Sequence, residues 1–277
     1  MQSNRAYSNC RNFTACCLLF FLLLSGCTQK RWEDPFTEEE NSAIQTLLRD
    51  MQQQEKQCFK SYDTDITLHW QNPAGDSTVA GYLRLLSPSL IKYVINNPLG
   101  QPGFAVAADG RSFQMLKPTE RLHIRGSVRS LAIRNKIPLI LAQGDWFAYI
   151  AGRLPVRQLI VEESARDIND NSIWLKLKTA KGKYTTGSIY LQIEPGSRQL
   201  LSYLFMDDDK EVLAEIRYGN KMKGKAPCAV PTEIQISKLP WATSVEIELE
   251  NISGFDQFSS AGFALPVPKG FNTQLWP

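Results

Sequence analysis

The residue types that most often carry catalysis are scarce and scattered in this chain. It has two histidines, His69 and His123, and both fall in predicted strands, where sheet packing explains them better than metal binding. The run Asp207-Asp208-Asp209 lacks the glycine-punctuated ladder of calcium ligands and is typical of a solvated turn. Glu162 and Glu163 are neighbours on a predicted strand and face opposite ways. With no nucleophile, metal or phosphate-loop motif, we predict a protein that is not an enzyme and needs no metal or diffusible cofactor.

Cysteine chemistry gives a clearer signal near the amino end. Residues 1–26 begin with a positive, acid-free stretch, and Phe13–Leu24 is apolar but short for a membrane span. The segment ends in Leu24-Ser25-Gly26-Cys27, which matches the bacterial lipobox. The match implies cleavage after Gly26, diacylglyceryl attachment to the Cys27 thiol and acylation of the new amino terminus. The alternative is a generic signal or anchor helix that happens to end in cysteine.

The acyl chains and the residue after Cys27 predict where the protein resides. Two or three chains anchor a protein firmly, because each buried CH₂ contributes about 0.8 kcal/mol. Thr28, and not aspartate, follows the cysteine, which in the enterobacterial sorting rule indicates the outer membrane. We therefore predict a lipid-anchored, periplasm-facing protein of a Gram-negative outer membrane. Residues 27–36 are predicted to be a short lipidated tether between the bilayer and the folded domain.

Charge and the remaining cysteines indicate further what class of protein this is. Removal of residues 1–26 lowers the formal net charge from +3 to +1, and no basic run is long enough to indicate nucleic-acid binding. Besides Cys27, only Cys58 and Cys228 remain. In an oxidising periplasm these two can form a disulfide, and two buried free thiols are the alternative. The remaining length suits one large β domain or two small ones, and we expect a monomer.

Hydrophobic periodicity predicts that strands dominate the fold. A capping box at Thr37-Glu38-Glu39-Glu40 precedes apolar residues at helical spacing, which predicts one amphipathic helix. One-sided alternation follows, for example in Ile173–Leu177 and Val245–Leu249, and is typical of an antiparallel sheet with one wet face. Counting such segments gives ten to twelve strands. Residues 255–277 are predicted to form an irregular tail.

A helical insertion is predicted between the early and the late strands. Ser127–Gly152 is poor in charge and rich in large apolar residues, and proline and glycine signals indicate one or two short helices. A sheet this wide must curl, and so few helices cannot cover its apolar face. We therefore expect a mainly β fold with minor α, a curved antiparallel half-barrel around an apolar cavity. The candidate cavity and lid residues are Leu139, Leu141, Trp146, Phe147 and Ile150.

Several motifs resemble those of the LolA/LolB lipoprotein-carrier superfamily, and its membrane-anchored LolB branch more closely. The most specific is Asn97-Pro98-Leu99-Gly100 between two early strands; the others match mainly in order and spacing, over about residues 40–253. In chain order the others are Asp109-Gly110-Arg111, Ile137-Pro138-Leu139, Trp146, Gly152-Arg153-Leu154-Pro155, Ile216-Arg217-Tyr218, Pro231 and Ser244–Ile252. Residues 180–187, 220–226 and the tail after Phe255 have no counterpart in this pattern.

The resemblance implies a curved sheet around a hydrophobic cavity with a helical lid, in a domain over residues 37–254. It also implies that the cavity receives acylated lipoproteins, or another amphiphile, from a soluble periplasmic LolA-type carrier. The anchored protein would then insert them into the outer membrane. The family's protruding-loop leucine corresponds to Leu99, which would enter the lipid bilayer. The alternative is a membrane-tethered binding or lipid-sensing module on the same fold, without a transport role.

Overall fold

A computed structural model describes residues 31–96, 102–155, 159–178, 187–219, 222–224, 228–239, 242–256 and 259–277. Four α-helices lie in these ranges: α1 Glu38–Glu55, α2 Val128–Arg134, α3 Leu139–Ala142 and α4 Trp146–Ala151. The strands are β1 Trp32–Pro35, β2 Ser61–Asn72, β3 Gly75–Leu86, β4 Leu90–Asn96, β5 Pro102–Ala108, β6 Ser112–Lys117, β7 Leu122–Ser127, β8 Val161–Asp167, β9 Ile173–Leu177, β10 Ser188–Glu194, β11 Gln199–Met206, β12 Val212–Tyr218, β13 Met222–Lys223, β14 Val230–Pro231, β15 Glu233–Leu239, β16 Ala242–Phe255 and β17 Asn272–Trp276.

Fifteen of these strands form one open curved sheet, which confirms the predicted fold class. Their order is β1-β8-β9-β10-β11-β12-β15-β16-β2-β3-β4-β5-β6-β7-β17, and β13 pairs with β14 separately. Neighbours in the described sheet run antiparallel, except that β17 lies parallel to β7. The strand count exceeds the predicted ten to twelve, partly because both edge strands are short and lack clear alternation.

Both edge strands lie in segments where the sequence predicted no strand. Trp32–Pro35, placed in the predicted tether, pairs with β8 instead. The Trp32 ring stacks on Tyr190 with centroids 5.0 Å apart, and Arg31 Nη1 lies 2.9 Å from the Glu215 carboxylate. This burial of an aromatic side chain and a paired charge explains why the chain joins the sheet here. The chain is therefore bound to the domain from Arg31 onward.

The tail is also more regular than predicted. Asn272–Trp276 forms the second edge strand, and Ser260–Phe263 forms a short 3₁₀ helix. Leu265 packs with Ala105, Ala107 and Leu116, and the Lys92 ammonium donates hydrogen bonds to the carbonyls of Gly262 and Ala264. By strand alternation these partners point away from the helices. The tail therefore covers the outer face of β4–β6.

The helices pack against the other face of the sheet, which we call the helix face. Helix α1 begins with the predicted capping box: Thr37 and Glu40 satisfy each other's backbone amides. Its buried side chains Ile44, Leu48 and Met51 belong to the main apolar core. The periodicity that predicted an amphipathic helix therefore also identified the side of α1 that packs on the sheet.

The helical insertion forms three helices where one or two were predicted. Ser127 caps α2, Pro138 precedes α3, and Asp145 caps α4. Gly152 ends α4 in the left-handed conformation, with φ of 62°. This conformation favours glycine, since a Cβ atom strains it. The chain then turns sharply at Gly152 and returns toward the end of α1.

Cys58 and Cys228 form a disulfide, so the structure has the first of the two alternatives that the sequence left open. The bond joins residues 170 positions apart, just after α1 and just before β14. In the chain-entropy model, closing a loop of this size stabilises the folded state by about 5 kcal/mol. The disulfide therefore fixes the end of α1 beside the late strands.

Candidate functional site

The helix face is covered more fully in one zone than in the next. Strand pairing aligns Tyr62, Leu85 and Phe113 in one row of side chains, and these are only 4%, 1% and 1% exposed. Rows further toward the β4–β5 connection keep apolar side chains that are only partly buried. The coverage by helices therefore ends part of the way along strands β2–β6.

These partly buried side chains form what we call the apolar patch. Cross-strand pairs such as Tyr93 with Val106 and Ile95 with Phe104 place its members side by side on the helix face. Its described members are Leu68, Trp70, Val79, Tyr93, Ile95, Phe104, Val106 and Met115. None of them carries a charge. An apolar surface of this kind suits an apolar ligand or a lipid surface.

The insertion residues proposed from sequence divide into two groups. Leu141, Phe147 and Ile150 are 2%, 5% and 4% exposed and belong to the core, so they pack and do not line an open surface. Phe147 stacks on Tyr62 with ring centroids 5.7 Å apart. Leu139 and Trp146 stay partly exposed, and the Trp146 indole N–H donates to the Ala142 carbonyl at 3.0 Å.

Two residues proposed from sequence, Cys27 and Leu99, lie outside the described residues. Residues 97–101 connect Asn96 of β4 to Pro102 of β5, and these two residues are paired. Ile95 and Phe104 of the apolar patch are therefore the described patch residues nearest to Leu99 along the chain.

A buried polar junction holds the insertion to α1 and to the sheet. The Arg153 guanidinium, 5% exposed, donates to the Tyr62 hydroxyl at 3.1 Å and contacts Cys58 Sγ at 3.2 Å. The Tyr203 hydroxyl donates to the Arg153 carbonyl at 2.5 Å, and Tyr218 donates to the Tyr149 carbonyl at 2.7 Å. Because a buried polar group is costly unless it is bonded, these contacts fix one position for the turn that follows α4.

Glu55 joins the same junction from the end of α1. Its carboxylate accepts a hydrogen bond from the Leu154 backbone N–H at 3.2 Å. Burial raises the pKa of Glu55 from its usual 4.5 to about 7, although the Leu154 N–H and Arg153 act in the opposite direction. The carboxyl group is therefore protonated well above its ordinary range.

Sequence reasoning did not assign a role to Arg153 or Tyr93. Arg153 was recognised only as part of a motif, although a single cation between apolar residues is a signal for a buried, bonded group. Tyr93 alternates with Lys92 and Val94 in β4, which places it on the helix face with Ile91 and Ile95. Only the packing shows that its row is incompletely covered.

The outer face has a different character. A surface pocket of about 550 Å³ is lined mostly by polar or small residues: Asp65, Ile66, Thr67, Thr78, Val79, Ala80, Gly81, Asn96 and Glu250. Asn251 donates to the Asp65 carboxylate at 2.7 Å. Among the described residues, no group of three or more His, Cys, Asp or Glu side chains is arranged to hold a metal ion. In the same part of the chain, no helix has the length and apolar character needed to cross a membrane.

Comparison with known proteins finds solved structures of similar fold. A scan of protein-family models and a search of curated proteins gave no match. A LolA superfamily protein from Nitrosomonas europaea aligns with a TM-score of 0.55 and 14% identity, covering 80% of this chain and 97% of its own. A putative outer membrane lipoprotein-sorting protein domain from Vibrio parahaemolyticus aligns with a TM-score of 0.55 and 10% identity, over 79% and 94% of the two chains.

A DUF1329 family protein from Desulfovibrio piger is similar to the same extent, with a TM-score of 0.57, 12% identity and coverage of 80% and 96%. The three alignments span nearly the whole of each solved chain. At such low identity they show the fold: the protein has a LolA-like architecture.

Replacing Glu55 with glutamine should remove one pH dependence of stability. Since the folded protein holds the Glu55 proton to higher pH than the unfolded chain, the free energy of unfolding falls as pH rises from 4.5 to about 7. Above that range the loss is at most about 3 kcal/mol. Glu55→Gln keeps an acceptor for Leu154, and we expect it to be more stable than wild type at pH 8 but not at pH 4.

Urea denaturation at both pH values measures this difference. Glu39→Gln, on the exposed side of α1, is the matched control and should follow the wild type. An equal stability difference between Glu55→Gln and wild type at the two pH values would contradict the assignment.

Proposed function

We propose that the protein is an outer-membrane-anchored lipoprotein that binds acyl chains on its apolar patch and helps to insert lipoproteins into the outer membrane. The observation that carries this proposal is the patch itself. It is an apolar surface on the helix face of a LolA-like sheet, and its side chains are only partly buried. A LolA superfamily protein and a lipoprotein-sorting domain share this fold, which supports a lipid or lipoprotein ligand.

The transfer would follow differential affinity and would need no catalysis or cofactor. The patch competes first with a soluble LolA-type carrier and then with the bilayer for the same acyl chains. The acyl groups on Cys27 supply the permanent anchor. Leu99 would contribute at most about 2–3 kcal/mol by entering the lipid, which suits a transient contact between a monomeric protein and the membrane.

Native mass spectrometry of the mature Cys27→Ala chain tests the binding proposal. This variant cannot be acylated, so any acyl mass that co-purifies is a ligand. We expect adducts of acyl-chain mass, and we expect Ile95→Asp to lose them because a charge in the patch disfavours hydrocarbon. Glu246→Asp on the outer face is the control. A chain without adducts, which also binds no added acyl lipid, would favour the tethered binding module without a transport role.

Leu99→Glu tests the role in membrane insertion. A charged loop cannot enter hydrocarbon cheaply, so the variant should fold and anchor normally yet leave other lipoproteins at the inner membrane. Separation of the two membranes and immunoblotting of a reporter lipoprotein measures this. Leu275→Glu is the matched control, since Leu275 is 61% exposed on the edge strand β17. Normal delivery by Leu99→Glu would contradict the proposed role of the loop.

A further inference from the structure

Tyr93 occupies a distinctive place within the apolar patch. Its row on the helix face continues to buried Leu83 on one side and to partly buried Val106 on the other. Its ring leans toward Gly81, since a Cβ atom built there would come within 3.1 Å of Tyr93 Cε2. Gly81 pairs with Ile95, one row closer to the β4–β5 connection. The ring therefore extends toward the less covered part of the patch.

The Tyr93 hydroxyl is enclosed and makes no hydrogen bond with the described residues. Other core tyrosines differ: Tyr203 and Tyr218 donate to backbone carbonyls, and Tyr62 accepts from Arg153. Burial alone raises the pKa of Tyr93, so the hydroxyl stays neutral and keeps its proton. A buried hydroxyl without a partner is costly, whereas phenylalanine would fill the same space without that cost. The position therefore carries a polar group for which the described residues provide no hydrogen-bond partner.

A particular ligand chemistry would satisfy this group. A hydrocarbon chain offers no acceptor, and the apolar surroundings disfavour a carboxylate or another ion. The carbonyl oxygen of an ester or amide accepts hydrogen bonds without donating any, and it is uncharged. Such carbonyls occur where an acyl chain joins its glycerol or its amino group, directly beside a hydrocarbon that would lie on Leu68, Ile95 and Phe104.

We propose that the Tyr93 hydroxyl donates a hydrogen bond to the ester or amide carbonyl of an acylated ligand and so fixes the depth of its chains on the patch. The inference rests on the proposed function, because it requires that acyl chains bind there. It adds the chemical class of the ligand: the chains must carry a carbonyl at their linkage. Tyr93 is then the residue that distinguishes acyl from alkyl chains.

Matched ligands and matched variants test this directly. The mature Cys27→Ala chain, with Tyr93 or with Tyr93→Phe, is titrated with a dipalmitoylglyceryl lipopeptide and with its dihexadecyl ether analogue, which lacks the ester carbonyls. We expect Tyr93→Phe to bind the ester lipopeptide about three- to ten-fold more weakly and the ether analogue unchanged. The melting temperature without ligand should not fall. Tyr190→Phe, on the outer face, should bind both ligands like the parent chain.

The possible outcomes distinguish a failure of the Tyr93 hydrogen bond from a failure of acyl-chain binding itself. Equal loss for ester and ether, or no loss for either, overturns the role of Tyr93 but leaves acyl binding intact. If the parent chain binds neither ligand, the proposed function fails and this inference falls with it. Dipalmitoyl phosphatidylethanolamine forms a third arm. An effect of Tyr93→Phe with this phospholipid and not with the lipopeptide would overturn a lipoprotein as the source of the carbonyl.

Discussion

The apolar face of the fifteen-stranded sheet is wider than the helices that pack on it. Helices α1, α3 and α4 share the main core, and α2 packs on β6 and β7. Each buried apolar side chain contributes to stability, so the covered rows hold the fold together. The rows of β2–β6 nearest the β4–β5 connection receive less cover, and they remain available for a ligand. The proposed binding function depends on this mismatch between sheet and helices.

The junction at Gly152–Leu154 holds the helices in place on the sheet. Gly152 lets the chain leave α4 in a left-handed turn, and Arg153 and Leu154 then bond to Tyr62 and Glu55. The Cys58–Cys228 disulfide fixes the same corner. Since these contacts are buried and mutually bonded, the helices have one preferred place on the sheet. In this position the helices leave the side chains of the apolar patch only partly buried.

Secondary-structure elements with a local sequence signal could be predicted, and elements held only by distant contacts could not. Alternation identified β16 because one of its faces is buried and the other is polar. In β9, Trp174 on the second face is buried as well. Alternation did not identify β1, which contains Pro35. This strand is held by contacts of Trp32 with Tyr190 and of Arg31 with Glu215, and these contacts between distant residues leave no local sequence pattern. The capping box marked the start of α1 because its bonds are local.

The site was harder to predict than the fold. Aromatic and aliphatic residues of the insertion were the candidates, yet Phe147 and Ile150 are core residues and only Leu139 and Trp146 keep exposed surface. Whether an apolar side chain packs or binds depends on how far its neighbours cover it, and a single sequence does not contain that coverage. The same is true of Tyr93, because only the structure shows that its buried hydroxyl has no hydrogen-bond partner among the described residues.

Paramagnetic broadening by a doxyl-labelled stearic acid methyl ester would locate the bound chain on one face of the sheet. The tryptophan indole signals of the ¹⁵N-labelled mature Cys27→Ala chain report from both faces. We expect saturating probe to broaden Trp70, a member of the apolar patch, and to leave Trp32 and Trp174 of the outer face sharp. Broadening confined to Trp32 and Trp174, or no broadening at all, would contradict acyl-chain binding at the apolar patch.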